Sequence, residues 1–138
     1  SAGSKARIIA KIERKDAVAH AADIIAAADA VMVARGDLGN EVPLERIPFA
    51  QYSLIQQANA AGKPVIVATE MLPSMIDHDV PTRSDVSDIV LAVMMGADAV
   101  MLSNESAIGK FPVEAVAMME KIVVEAERHG ATKTRLAL

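Results

Sequence analysis

Four short apolar runs, evenly interleaved with segments of helical periodicity, restrict this chain more than any other feature. The runs are Arg7 to Ile12 (RIIAKI), Ala30 to Ala34 (AVMVA), Val65 to Ala68 (VIVA) and Ala99 to Leu102 (AVML). Each is rich in branched aliphatics and too short for a helix, which is the pattern of a strand buried on both faces. Between them, Asp16 to Ala28 places Val18, Ala22, Ile25 and Ala26 on one side of a helix, and Phe49 to Ala61 ends at a C′ glycine, Gly62. Thr82 or Ser84 caps a helix running through Met95, with Val86, Ile89, Val90, Val93 and Met94 on one face, before Gly96 closes it. The last helix starts at Pro112, with Glu114 in its first turn, and reaches Arg128 before Gly130.

Four alternations of strand and helix require parallel pairing through right-handed crossovers, so the fold class is α/β with four parallel βα units. Thr69 and Ser103 each follow a run and stand 34 residues apart. That period is shared with all-helical tetratricopeptide arrays, but the VIVA and AVML runs argue against them. An eightfold barrel takes about 250 residues. Four units in 138 residues therefore make half of a TIM (β/α)8 barrel or a small open α/β sheet.

Composition narrows the chemistry. With no cysteine, thiolate nucleophiles and zinc–thiolate sites are excluded. The formal charge of −4 argues against nucleic acid or an anionic membrane as a partner. No apolar stretch approaches the ~20 residues of a membrane span and no signal-like segment opens the chain, so a cytoplasmic protein is expected. Phe49, Tyr52 and Phe111 are the only aromatic residues, which leaves the core to Ala, Val, Ile, Leu and Met.

The first polar residues after the runs are Lys11 and Glu13, Arg35 and Asp37, Thr69 and Glu70, and Ser103 and Glu105. In parallel α/β folds these positions share the rim at the carboxyl ends of the strands, where ligands bind. Lys11 and Glu13, two apart, point the same way. With Asp37 from the next strand they make a lysine flanked by two carboxylates, a set that suits Mg²⁺ or Mn²⁺ with substrate oxygens, or else simply an ion-paired, solvated rim. Arg35-Gly36-Asp37-Leu38-Gly39 is either a plain turn or, if a helical turn starts there, an anion site with the Thr69 hydroxyl as a further donor. The Arg-Gly-Asp triplet within it is not read as an adhesion motif, for want of a secretory signal. No spacing of His20, His78 and His129 suggests a metal cluster. Ser103 lacks the Gly-x-Ser-x-Gly elbow of a serine hydrolase.

IIAKIE at Ile8 to Glu13, VMVARGDLG at Val31 to Gly39, GKPVIVATEML at Gly62 to Leu72, VPTRSDVSD at Val80 to Asp88 and GADAVMLSNESAIGKFPVEAV at Gly96 to Val116 closely resemble the second half of the pyruvate kinase barrel, in order and spacing. The resemblance implies the fifth to eighth βα units of a (β/α)8 barrel over residues 1–130, with residues 131–138 starting a C-terminal linker. It implies phosphoryl transfer from phosphoenolpyruvate to ADP, giving pyruvate and ATP in glycolysis, with Mg²⁺ (or Mn²⁺) and K⁺, whose ligands in the family lie outside this chain. By the same resemblance Lys11 is the lysine that stabilises the transferring phosphoryl group and the enolate. Glu13 and Asp37 are the metal ligands, and the N–H groups of Gly36 and Asp37, with the Thr69 hydroxyl, are the cradle for the substrate carboxylate. Arg83 and Asp88 fall in a segment that resembles the family's subunit contact. Glu70 stands where the family usually has Gln, Asn40 where it has an aliphatic, Asp85 where it has Glu, and Asn104 where it has Gly or Ala. Two other functions are consistent with the residues: a half-barrel assembly or binding module that forms homo-oligomers or joins the other barrel half through its sheet edges, and a metal-dependent aldolase acting on phosphoenolpyruvate- or pyruvate-type acids.

Overall fold

A computed structural model describes residues 5–130. The residues expected to form the linker, 131–138, lie outside that range. The order is β1 (Ile9–Ile12), α1 (Lys15–Ala19), α2 (Ala21–Ala27), β2 (Ala30–Ala34), α3 (Arg35–Leu38), α4 (Ile47–Ala60), β3 (Val65–Ala68), α5 (Arg83–Met94), β4 (Ala99–Met101), α6 (Asn104–Ala107) and α7 (Pro112–Arg128), with 3₁₀ turns at Leu44–Arg46 and Pro73–Ile76.

The four strands pair in parallel, in the order β1-β2-β3-β4. A doubly wound sheet reverses its order partway; this one never does, which is the winding of a barrel segment. One face carries Ile12, Val31, Val33, Val65 and Val67, all inaccessible, packed with Leu54, Ile55, Ile89, Ala92 and Ile122 of the helices. Burying each of the larger side chains contributes about 1.5–3 kcal/mol of transfer free energy. On the other face, Lys11 is in register with Met32, Met32 with Ile66, and Ile66 with Ala99. That face stays partly open, and Ile9 is 50% exposed. Burial on both faces therefore holds for most of β2 and β3 but not for β1 and β4, which are the edge strands of the sheet.

The expected Asp16 to Ala28 helix is broken at His20, whose backbone leaves helical geometry at φ −109° and ψ 23°. The break turns Ala21, Ile25 and Ala28 inward in place of Ala22 and Ala26. Helix α4 starts two residues earlier than expected, with Pro48 in its first turn. In α5, Met94 is exposed whereas Ala92 is buried beside Ile89 and Val93. The cap of α5 is Thr82: its hydroxyl accepts from Asp85 N–H at 3.2 Å while the Asp85 carboxylate accepts from Thr82 N–H at 3.1 Å. Gly62 and Gly96, at φ 67° and 98°, end α4 and α5 in paired bonds: Gly62 N–H to Asn59 and Lys63 N–H to Ala58, then Gly96 N–H to Val93 and Ala97 N–H to Ala92. This double closure needs a left-handed residue and returns the chain to the next strand. Among the described residues no helix is long and apolar enough to cross a membrane.

Candidate functional site

The carboxyl ends of the strands bring Lys11, Glu13, Asp37 and Thr69 to one rim. Lys11 lies in β1 and Glu13 follows its last residue on the same side, and α3 begins directly after β2, so Asp37 in its first turn lies across from them. The Lys11 ammonium bonds the Glu13 carboxylate and lies 3.0 Å from Asp37 Oδ2. Hydrogen bonds to Glu13 and then Asp37 hold the Lys11 ammonium above its ordinary pKa of 10.5. The same ammonium holds the Asp37 carboxyl below 3.8. Glu13 Oε2 is enclosed and pairs with the Lys11 ammonium. Two carboxylates thus converge on one cation. Among the described residues no third carboxylate or imidazole joins them. That donor set fits a Mg²⁺-like ion, which takes one or two carboxylates and completes its shell with water and substrate oxygens.

Beside this cluster, Gly36 N–H donates to Thr69 Oγ1 at 2.7 Å, and the Thr69 hydroxyl donates to Ala68 O at 2.6 Å. The three groups expected to receive a carboxylate therefore stand together, with Gly36 and Thr69 bonded to each other. A Cβ on Gly36 would lie 3.4 Å from Thr69 Oγ1, so the glycine permits a close approach at that point. A cavity of about 260 Å³ opens here, lined by Gly36, Asp37, Thr69, Glu70, Ser103 and Glu105 among others. A second cleft, of about 330 Å³, holds Lys11 and Glu13 and meets the first at Asp37. A larger groove of about 780 Å³, lined by Val18, Val42 and Phe49, contains none of Lys11, Glu13, Asp37 or Thr69.

Three features escaped the sequence reading. Thr69 and Glu70 both adopt left-handed backbone, at φ 67° and 54°. For residues with a Cβ this costs about 1–2 kcal/mol each, and for a β-branched residue it marks strain held by surrounding structure. Arg35 is buried and donates to the carbonyls of both strained residues. Its separation from Thr69 is the 34-residue period already present in the sequence, so the two occupy equivalent ends of adjacent strands. Glu105, 2% exposed, accepts from Leu72 N–H at 3.1 Å and Ser103 N–H at 2.8 Å, joining the segments after β3 and β4. Of the two interface candidates, Arg83 is exposed and Asp88 is ion-paired with Arg35. His20, His78 and His129 are all exposed.

A family model, "Pyruvate kinase, barrel domain", matches residues 1–116. A pyruvate kinase of Thermococcus litoralis is 53% identical over 122 residues, covering 88% of this chain and 26% of that protein. Pyruvate kinase 2 of a Synechocystis species is 53% identical over 128 residues, with 93% and 22% covered. The chloroplastic pyruvate kinase isozyme G of Ricinus communis is 50% identical over 127 residues, with 92% and 30% covered. The chain spans about a quarter of the length of the curated relatives it matches.

Proposed function

The chain belongs to the pyruvate kinase family, and on that premise we propose that it carries the metal- and oxyacid-binding half of a site for phosphoryl transfer from phosphoenolpyruvate to ADP. Residues 1–130 act as the half-barrel and residues 131–138 as a link beyond it. Glu13 and Asp37 hold Mg²⁺ or Mn²⁺; Gly36 and Asp37 N–H and the Thr69 hydroxyl receive the substrate carboxylate; Lys11 balances charge on the phosphoryl group and the enolate oxygen. The bound ion supplies electrostatic stabilisation of negative charge on those oxygens. The chain's own part is positioning: Lys11 in β1, Glu13 just after it and Asp37 in the first turn of α3 bring one ammonium and two carboxylates to the same rim.

The observation that carries this reading is the Lys11 ammonium held between Glu13 and Asp37 beside the Gly36–Thr69 pair. Its test is Mn²⁺ binding with and without oxalate, an analogue of enolpyruvate, to the chain and to a Glu13→Gln, Asp37→Asn double variant. Binding that oxalate strengthens and the variant abolishes supports the reading; millimolar Mn²⁺ with no binding to the unsubstituted chain refutes it. A second reading, association through the sheet, draws on the open edges β1 and β4 and the exposed Ile9. Either a second copy or the other barrel half is the occupant, with Arg83 at the contact, and mass measured on dilution separates the first from a monomer.

A further inference from the structure

Arg35 is the one buried cation among the described residues, 6% exposed, and its guanidinium reaches three separate elements. Nε and Nη2 donate to the Thr69 carbonyl at 3.3 and 2.8 Å, and Nη2 also donates to the Glu70 carbonyl at 2.7 Å. Nη1 bonds the Asp88 carboxylate of α5 and lies 3.4 Å from Gln51 Oε1 of α4. Nη2 faces Met71 Sδ at 3.0 Å. A planar fork of fixed donors is what such divergent acceptors require, and an ammonium on a flexible stem has no equivalent.

Successive residues in a helical conformation of either hand align their carbonyls, which lets one Nη2 serve both 69 and 70. In the ordinary extended conformation those carbonyls would diverge and the fork would lose one of them. The next residue along, Gly36, meets the same turn from the other side through its N–H and Thr69 Oγ1. The 35–36 and 69–70 segments are therefore joined twice, by the Arg35 guanidinium on both carbonyls of the strained turn and by the Gly36 N–H on the Thr69 hydroxyl. A buried guanidinium also needs a counter-charge, and Asp88 supplies it.

We propose that Arg35 is a positioning residue: charge-balanced by Asp88, it holds the Thr69–Glu70 turn left-handed and so sets the Thr69 hydroxyl beside the Gly36 N–H, where an oxyacid carboxylate takes over the bonds that Gly36 now gives to Thr69 Oγ1 and Thr69 to Ala68 O. The oxyacid part rests on the reading given under Proposed function; the control of the turn does not.

The test uses the whole 138-residue chain, unsubstituted and as Arg35→Lys and Asp88→Asn, with far-UV circular dichroism confirming the fold. Backbone chemical shifts of Thr69 and Glu70 report the turn, amide exchange of Gly36 reports its bond to Thr69, and titration reports Mn²⁺ affinity and its gain with oxalate. In Arg35→Lys the turn leaves the left-handed region, Gly36 exchanges about tenfold faster, and the oxalate gain falls by about tenfold. Mn²⁺ affinity without oxalate changes less than about twofold, because Glu13 and Asp37 are untouched; general destabilisation would lower both. Asp88→Asn moves each readout the same way by a smaller amount, and decides the question if Arg35→Lys does not fold. A folded variant with the turn and Gly36 exchange unchanged overturns the proposal, as does a lost turn with the oxalate gain intact. No oxalate effect in the unsubstituted chain refutes the oxyacid reading alone, and the turn and amide readouts still decide whether Arg35 positions Thr69.

Discussion

Glu105→Gln tests whether the rim is braced by a buried charge. The Glu105 side chain is 2% exposed and accepts two backbone N–H groups from different segments, Leu72 at 3.1 Å and Ser103 at 2.8 Å. Glutamine keeps the shape but offers one acceptor oxygen, and turns an NH₂ donor toward the second amide. Leaving one buried N–H without a partner costs about 1–3 kcal/mol, and the surviving bond falls from the charge-assisted range of about 1.5–3 kcal/mol to about 0.5–1.5 kcal/mol. Easier desolvation of the neutral amide returns part of this loss. The net expectation is destabilisation of about 2–3 kcal/mol, with Glu105→Ala worse because both amides are orphaned and a void is left. Urea unfolding followed by circular dichroism reads this as a lower midpoint at constant slope. The oxalate gain in Mn²⁺ affinity also falls, since Glu105 and Ser103 line the same cavity as Thr69. A change under about 0.5 kcal/mol in both variants would refute the reasoning, because the two amides would then not depend on the carboxylate.

Gly96→Ala is expected to destabilise by about 1–2 kcal/mol from backbone conformation at φ 98°, and its new Cβ would lie 2.8 Å from Asn59 Nδ2; an unchanged melting temperature would contradict this. Asp77 is hydrogen-bonded to Lys110 at 2.7 Å, which holds its carboxyl below the ordinary 3.8. A depressed carboxylate contributes stability that is present above its unfolded value and lost as pH falls through the native one, so Asp77→Asn should lower stability slightly at neutral pH, leave it unchanged in strong acid, and thereby flatten the acid limb of stability against pH. An unaltered acid limb in urea titrations would show that the pair is not formed. Glu70 puts an exposed carboxylate in the cavity with Thr69 and Gly36. Glu70→Gln is expected to strengthen oxalate binding by about two- to fivefold, and weaker binding by calorimetry would exclude repulsion as its effect.

What was legible in the sequence follows the range over which each force acts. The glycines that end α4 and α5 and Pro112 opening α7 are local features, and each is realised as read, whereas the 34-residue spacing of Thr69 and Ser103 is not the strand register: Ala68 pairs with Met101, so Thr69 aligns with Leu102. The pairing of Lys11 with Glu13 needs only the two-residue period of a strand, and Asp37 joins them because parallel neighbours align their ends. The break at His20 was not legible, since the apolar pattern of Asp16 to Ala28 allows two inward faces and only contact with the sheet selects Ala21, Ile25 and Ala28.

By itself, then, the sequence determined four parallel βα units and the residues at their rim, because strand alternation, helix periodicity and turn chemistry are written within a few positions of one another. Tertiary structure alone decided that Thr69 and Glu70 are left-handed, that Arg35 is buried against their carbonyls, and that Asp88 and Glu105 are drawn inward to satisfy a cation and two amides. A strained backbone and a buried charge are each unfavourable in isolation. They persist only where partners from distant parts of the chain arrive together, 34 and 53 residues away in the case of Arg35, and no local rule reaches that far.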